Sequence, residues 1–137
     1  MDNIKFKKTY QEDNLINIKV FISSKFVNIW QDCYVSCEEL IEHSKIILNF
    51  INIDETESYV EFGDKTGQCT PSFSMKFEKV DSCGHIRIEM DMEIEDNTIR
   101  KHRCQFYIKT EYGLFEKFAN SLVNLATNKE CKEISLT

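Results

Sequence analysis

The sequence predicts an α+β domain: an antiparallel sheet of about seven strands with two amphipathic helices, in the order βββ-α-ββββ-α. Two patterns lead there. Long stretches alternate apolar and polar residues at every second position, the period of a strand with one buried face. Two other stretches repeat apolar residues at three- and four-residue spacing, the stripe of a helix lying on a core. Pro occurs once and Gly four times in 137 residues, too few for long irregular loops. The length suits a single domain over 1–137, with 129–137 as a loosely docked tail.

Taken in order, 4–10 alternates, with Ile4, Phe6 and Tyr10 on one face and Lys5 and Lys7 on the other. A polar turn, Gln11-Glu12-Asp13-Asn14, leads to a second strand carrying Ile16, Ile18, Val20 and Ile22 in phase. The third strand, 26–35, is apolar on both parities: Phe26, Trp30 and Tyr34 on one, Val27, Ile29, Cys33 and Val35 on the other. That pattern predicts cover on both faces, and it places the lone tryptophan in the core. Ser36-Cys37-Glu38-Glu39 is a capping box that opens the first helix. Leu40, Ile41, Ser44, Ile47, Leu48 and Ile51 form its apolar face, which puts His43 on the polar side.

The second half begins with a short strand, 58–62, and a turn, 63–67. A longer strand follows over 69–80, with Pro71 near its start and Phe73, Met75 and Phe77 inward. Asp81-Ser82-Cys83-Gly84 fits a type I turn. If Asp81 faces Gly84, Phe77 meets Ile88 and Met75 meets Met90 inside, while Glu78 meets Arg87 and Lys76 meets Glu89 outside. A three-residue loop at 96–98 then sets Met90 against Cys104, Ile88 against Phe106 and Asp91 against Arg103, with His102 inward. Thr110 caps the second helix, whose stripe is Leu114, Phe115, Phe118, Ala119, Leu122 and Leu125. Ile134 and Leu136 can dock as a short extra element. No internal repeat is visible.

Composition narrows the function. The net charge of −6 argues against a nucleic-acid binder, which needs a basic footprint, and against an anionic membrane surface. It suits a basic protein partner. Neither a signal-peptide pattern nor an apolar run long enough for a membrane span is present, so a cytoplasmic protein with its six cysteines reduced is expected.

Candidate chemistry is sparse. The cysteines lack C-x2-C pairs and zinc-finger spacing, so neither a metal nor a cofactor is expected. Cys37, at the start of a helix, is the best placed thiol for a nucleophile, but no histidine can be set beside it. Glu89, Asp91, Glu93 and Glu95 form an acidic stripe that Lys76, Lys101 and Arg103 neutralise in the expected register. Gly63 and Gly67 lack the G-K-[ST] of a phosphate loop. The residues define no active site, and a non-enzymatic protein is expected. Asp54, Glu55, Glu57, Glu61 and Asp64 stand apart, five acids with no base between positions 54 and 64. They are the candidate partner-binding patch, since complementary charge steers association.

A Gly-His-Ile turn, a long hairpin, an aromatic strand, then Thr-Glu and a Leu/Phe-spaced helix run through KVDSCGHIRIEMDMEIEDNTIRKHRCQFYIKTEYGLFEKFANSLVNL. This order resembles the WapI-type bacterial immunity proteins and related small bacterial proteins, over roughly 14–127. The resemblance implies a non-enzymatic protein that binds and neutralises a toxin stoichiometrically, its partner a basic toxin domain. It carries over no family binding residues. The alternative is a homo-oligomeric assembly module that associates through a sheet edge or face.

Overall fold

The computed structural model describes residues 2–53, 55–63, 72–95 and 101–137. Polar turns cut the first third into three strands, β1 (Asn3–Glu12), β2 (Leu15–Ser23) and β3 (Asn28–Ser36). Alternation sorts their side chains: Ile4, Phe6, Ile16, Ile18, Val20, Ile22, Cys33 and Val35 are all buried. Tyr10 breaks the expected pattern. The pairing of β1 with β2 shifts register between Lys8 and Tyr10, a bulge that adds a residue to one strand and reverses the parity beyond it. Tyr10 therefore turns out to solvent, while Lys8 stays on the inward parity and is buried. β3 also departs from expectation: its Trp30 and Tyr34 are exposed, so one face is covered and the other is open.

The chain passes from β3 directly into α1 (Cys37–Asn52). The Ser36 hydroxyl accepts the Glu39 N–H at 3.0 Å, and the Glu39 carboxylate takes the Ser36 N–H in return, completing the capping box. Leu40, Ser44 and Ile47 are buried as the stripe requires, and so is His43. The expectation of a polar-side His43 fails on helical geometry. Position 43 lies three residues after Leu40 and four before Ile47, within the same stripe.

The second half supplies β4 (Glu57–Phe62), β5 (Ser72–Lys79), β6 (His85–Glu95), β7 (Lys101–Glu111), α2 (Tyr112–Thr127) and β8 (Glu133–Ser135). The strands form two four-stranded antiparallel sheets, β3-β2-β1-β8 and β4-β5-β6-β7, and not one sheet of seven. The two sheets and both helices share one core. The Phe6 ring of β1 stands edge-on to Phe62 of β4 and Phe118 of α2, each at 5.3 Å. Phe77 of β5 meets Phe50 of α1 at 4.9 Å and Phe115 of α2 at 5.1 Å. Such edge-to-face pairs are the favoured aromatic geometry.

The order of elements repeats, although the residues do not. A three-strand meander, a helix and a short strand (β1-β2-β3-α1-β4) are followed by the same series (β5-β6-β7-α2-β8). Each closing strand crosses over: β4 pairs with β5 and β8 with β1, so each sheet is finished by a strand from the other series. The 129–137 segment is anchored in this way, with Ile134 opposite Phe6 and Leu136 buried.

The β5–β6 register is the one the Asp81 turn implies, with Phe77 opposite Ile88, Met75 opposite Met90 and Glu78 opposite Arg87. The β6–β7 register is slipped by two residues from expectation: Met90 faces Phe106, Ile88 faces Ile108 and Asp91 faces Gln105. An even slip leaves the two faces unchanged, so the core is the expected one, and the last pair of the ladder is Glu95 with Lys101. His102 ends up exposed beside the sheet end. Thr110, expected as the cap of α2, is instead the last inward position of β7, opposite Ile86. Glu111 takes the N-cap position without a side-chain capping bond.

Candidate functional site

Each sheet has an outer face, turned away from the core, that carries exposed side chains among the described residues. On the first sheet, register places side chains in rows across three strands. Lys5, Phe21 and Trp30 share one row, Lys7, Lys19 and Asp32 the next, and Tyr10, Asn17 and Tyr34 a third. Trp30 is 55% exposed. The Lys19 ammonium lies 4.7 Å from the Trp30 ring centre, within cation–π range. Lys5 is 3.5 Å from Glu133 on β8. Leu15 and Phe26 add exposed apolar surface at the rim. The aromatics fall in two groups, Phe21 with Trp30 and Tyr10 with Tyr34, on either side of the charged Lys7-Lys19-Asp32 row. Exposed apolar surface of this kind marks interaction sites on soluble proteins, and Trp and Tyr dominate binding hot spots.

None of this face was singled out from the sequence. The even-parity run Phe26, Trp30, Tyr34 was visible, but an apolar residue on both parities reads equally as a doubly covered strand. What decides it is layer packing: the core lies on the inner face of this sheet, with Cys33 and Val35, and Trp30 and Tyr34 are on the other face.

The outer face of the second sheet is acidic. Glu57 and Glu61 of β4 flank Tyr59, and the neighbouring rows carry Glu78, Glu89, Asp91 and Glu93. Cations offset part of this. Arg87 Nε donates to Glu78 at 2.8 Å, Arg103 reaches Asp91 at 2.8 Å and Lys76 lies 3.6 Å from Glu57. Glu89 accepts from the Gln105 carboxamide. Of the three cations expected to neutralise the stripe, Arg103 does so, pairing with Asp91 diagonally despite the slipped register, whereas Lys76 pairs with Glu57 and the Lys101 side chain lies outside the described residues. Of the expected acidic patch, Asp54 and Asp64 lie outside the described residues. Glu55 sits exposed before β4, while Glu57 and Glu61 are on its outer face. Glu61 accepts from the Tyr59 hydroxyl at 2.8 Å. The patch therefore continues into the sheet face and is larger than its sequence segment.

Several groups with chemical capacity are buried or partly buried. His43 lies over the Phe62 ring at 4.5 Å; its Nδ1 is buried without a partner, and burial lowers its pKa to about 4. Burial pushes the Cys33 thiol up to about 12, which keeps it protonated and unreactive. Cys37 is half-buried, with the Gln11 carboxamide 3.8 Å from its sulfur. Burial also raises the Glu39 carboxyl. Among the described residues no group of three His, Cys, Asp or Glu is placed to hold a metal ion, and no helix is long and apolar enough to cross a membrane.

A cleft of about 550 Å³ opens at the Asp81–His85 turn. Its charged groups are largely engaged already. His85 Nδ1 is 2.7 Å from Asp81, Arg87 holds Glu78, and Lys79 donates to the Ile53 carbonyl at 2.8 Å. Comparison with protein-family models, with curated proteins and with solved structures finds no match to this chain.

Proposed function

We propose that this chain is a non-enzymatic, cytoplasmic immunity-like protein that neutralises a bacterial toxin by stoichiometric binding, with the outer face of the first sheet as its contact surface. The observation that carries the binding role is the position of Trp30. The only tryptophan of the sequence stands exposed on a terminal strand beside Phe21, with Tyr34 and Tyr10 on the same face beyond the Lys7-Lys19-Asp32 row. Leaving that much aromatic surface in water forgoes burial worth roughly 25 cal/mol per Å², which a partner recovers. The toxin as partner class comes from the resemblance to WapI-type immunity proteins.

The acidic outer face of the second sheet favours a second reading, in which a basic toxin domain docks across Glu55, Glu57 and Glu61 and, in sequence continuity, Asp54 and Asp64. One experiment separates the two. Binding of the toxin encoded beside the gene is measured by calorimetry for the wild type, Trp30→Ala and Glu57→Lys/Glu61→Lys. The proposal expects Trp30→Ala to weaken binding at least tenfold and the charge reversal to change it little. The opposite outcome moves the contact to the acidic face. Absence of any complex, with no protection of cells, overturns the function.

A further inference from the structure

An open sheet ends in two strands whose outward N–H and C=O groups lack a ladder, and proteins guard such edges with charge, brevity or cover. The end strands here are β3 and β8 of one sheet and β4 and β7 of the other. Three of them are guarded. β8 is three residues long. β4 carries Glu57 and Glu61 on either side of Tyr59. β7 carries Arg103 and Lys109, and the Asp2 carboxylate accepts the outward Lys109 N–H at 2.9 Å. β3 is nine residues long and carries no cation. Two bonds that flank its ladder to β2 fix which of its groups are spare. Cys37 donates to the Asn14 carbonyl, and the Val27 carbonyl accepts from Ser24. Both fall at odd numbers on the β3 side, and bonding alternates along an antiparallel pair. Asn28, Trp30, Asp32 and Tyr34 therefore aim their N–H and C=O groups away from β2. Among the described residues the one partner of these groups is the Cys33 thiol, 3.8 Å from the Tyr34 carbonyl.

We propose that β3 receives an extended segment of the toxin as an added strand, with a basic residue of that segment opposite Asp32 and apolar residues opposite Trp30 and Tyr34. This rests on the reading of the Trp30 face as the toxin contact and gives the form in which the toxin meets it. Strand addition draws affinity from the main chain and specificity from alternate side chains. On β3 those alternate side chains are the exposed Trp30 and Tyr34 with Asp32 between them. Asp32 is the only charged residue of the strand. Lys19 stands across from it on β2 but leans over the Trp30 ring at 4.7 Å, and Asp32 has no ion pair among the described residues. A lysine or arginine on the added strand completes it from the other side, since opposite charges directly across a ladder attract. The face as a whole sets Lys5, Lys7 and Lys19 against Glu12, Asp32 and Glu133, so the local pair and not the overall charge selects the segment. From Asn28 to Tyr34 the edge runs about 20 Å at about 3.3 Å per residue, the reach of a segment of about seven residues.

Backbone amide exchange, read residue by residue by NMR, tests this with and without the purified toxin domain encoded beside the gene. In the free protein the Trp30, Asp32 and Tyr34 amides are expected to exchange fast, and those of Ile29, Gln31, Cys33 and Val35, bonded to β2, slowly. In the complex the first three slow by about tenfold or more. Asp32→Lys, its fold checked by circular dichroism, weakens toxin binding by about tenfold because like charges then oppose each other. Slow exchange at all seven positions in the free protein means that the edge is already closed and overturns the proposal. Protection that appears as the protein alone is concentrated makes a second copy the occupant and also overturns it. A complex that depends on Trp30 yet leaves the Trp30, Asp32 and Tyr34 amides fast removes the added strand and leaves the function standing. Absence of any complex removes both.

Discussion

His43 makes the fold sensitive to mild acid. Its ring is packed against Phe62 and its environment holds the pKa at about 4 instead of 6.5. The unfolded chain therefore binds a proton between these values while the folded chain does not. Stability from this residue is complete above about pH 7, falls as pH drops through 6.5, and is fully lost below about 4. At 1.36 kcal/mol for each tenfold difference in proton affinity, the loss is roughly 3 kcal/mol, a large part of the stability of a domain this size. Glu39 acts in the opposite sense. Its carboxyl is raised by burial, so protonating it favours the folded state as pH falls. A comparison with His43→Phe isolates the histidine, because phenylalanine keeps the stacking and cannot titrate. Urea unfolding of both proteins at several pH values between about 7.5 and 4 gives the difference in slope. His43→Phe is expected to match or exceed the wild type at neutral pH, since it also removes an unpartnered buried nitrogen. It should then stay flatter into acid by about 3 kcal/mol. Parallel pH profiles for the two proteins would refute the assignment.

Other consequences follow from single contacts. Lys8 Nζ donates to the Leu125 carbonyl at the end of α2 and to Gln11, each at 2.8 Å, so Lys8→Met should cost about 1–3 kcal/mol and speed amide exchange in the last turn of α2. Ser36→Ala removes the α1 cap and should lower stability by about 1 kcal/mol in urea unfolding. Phe6→Ala empties a position packed by rings from β4, β5 and α2, with an expected loss of about 3–5 kcal/mol. Gly84 has φ +93 with room for a Cβ beside Tyr112, so Gly84→Ala should destabilise through backbone strain alone, by about 1–2 kcal/mol. In the native protein a thiol reagent should label exposed Cys83 and spare Cys33, the latter only reacting on unfolding.

The strands and helices were legible because each has one buried face, and a one-sided face writes its period into the sequence. The β5–β6 pairing was legible for a further reason: the Asp81 turn is tight, and its Oδ1 accepts N–H groups from both Cys83 and His85. The β6–β7 pairing was not legible in this way, because alternation is blind to a slip of two. The departures share a cause: side-chain polarity is not burial. Tyr10 and Trp30 are apolar, yet a bulge turns the first outward and the second lies on the sheet face away from the core. His43 and Thr110 are polar, yet helical spacing and strand parity bury them. The candidate acidic patch was legible as a charge run. The aromatic face was not, since its rows are assembled from three strands whose order only the fold reveals.

The crossing of β4 and β8 between the two series has a consequence for chain cutting. Neither half carries a complete sheet edge of its own, so a fragment ending after Phe62 would hold a meander that lacks its fourth strand and a spare strand with nowhere to lie. Two such fragments could satisfy each other by exchanging the spare strand. The first half is therefore expected to survive, if at all, as an obligate pair, whereas the joined chain meets the same need within one molecule.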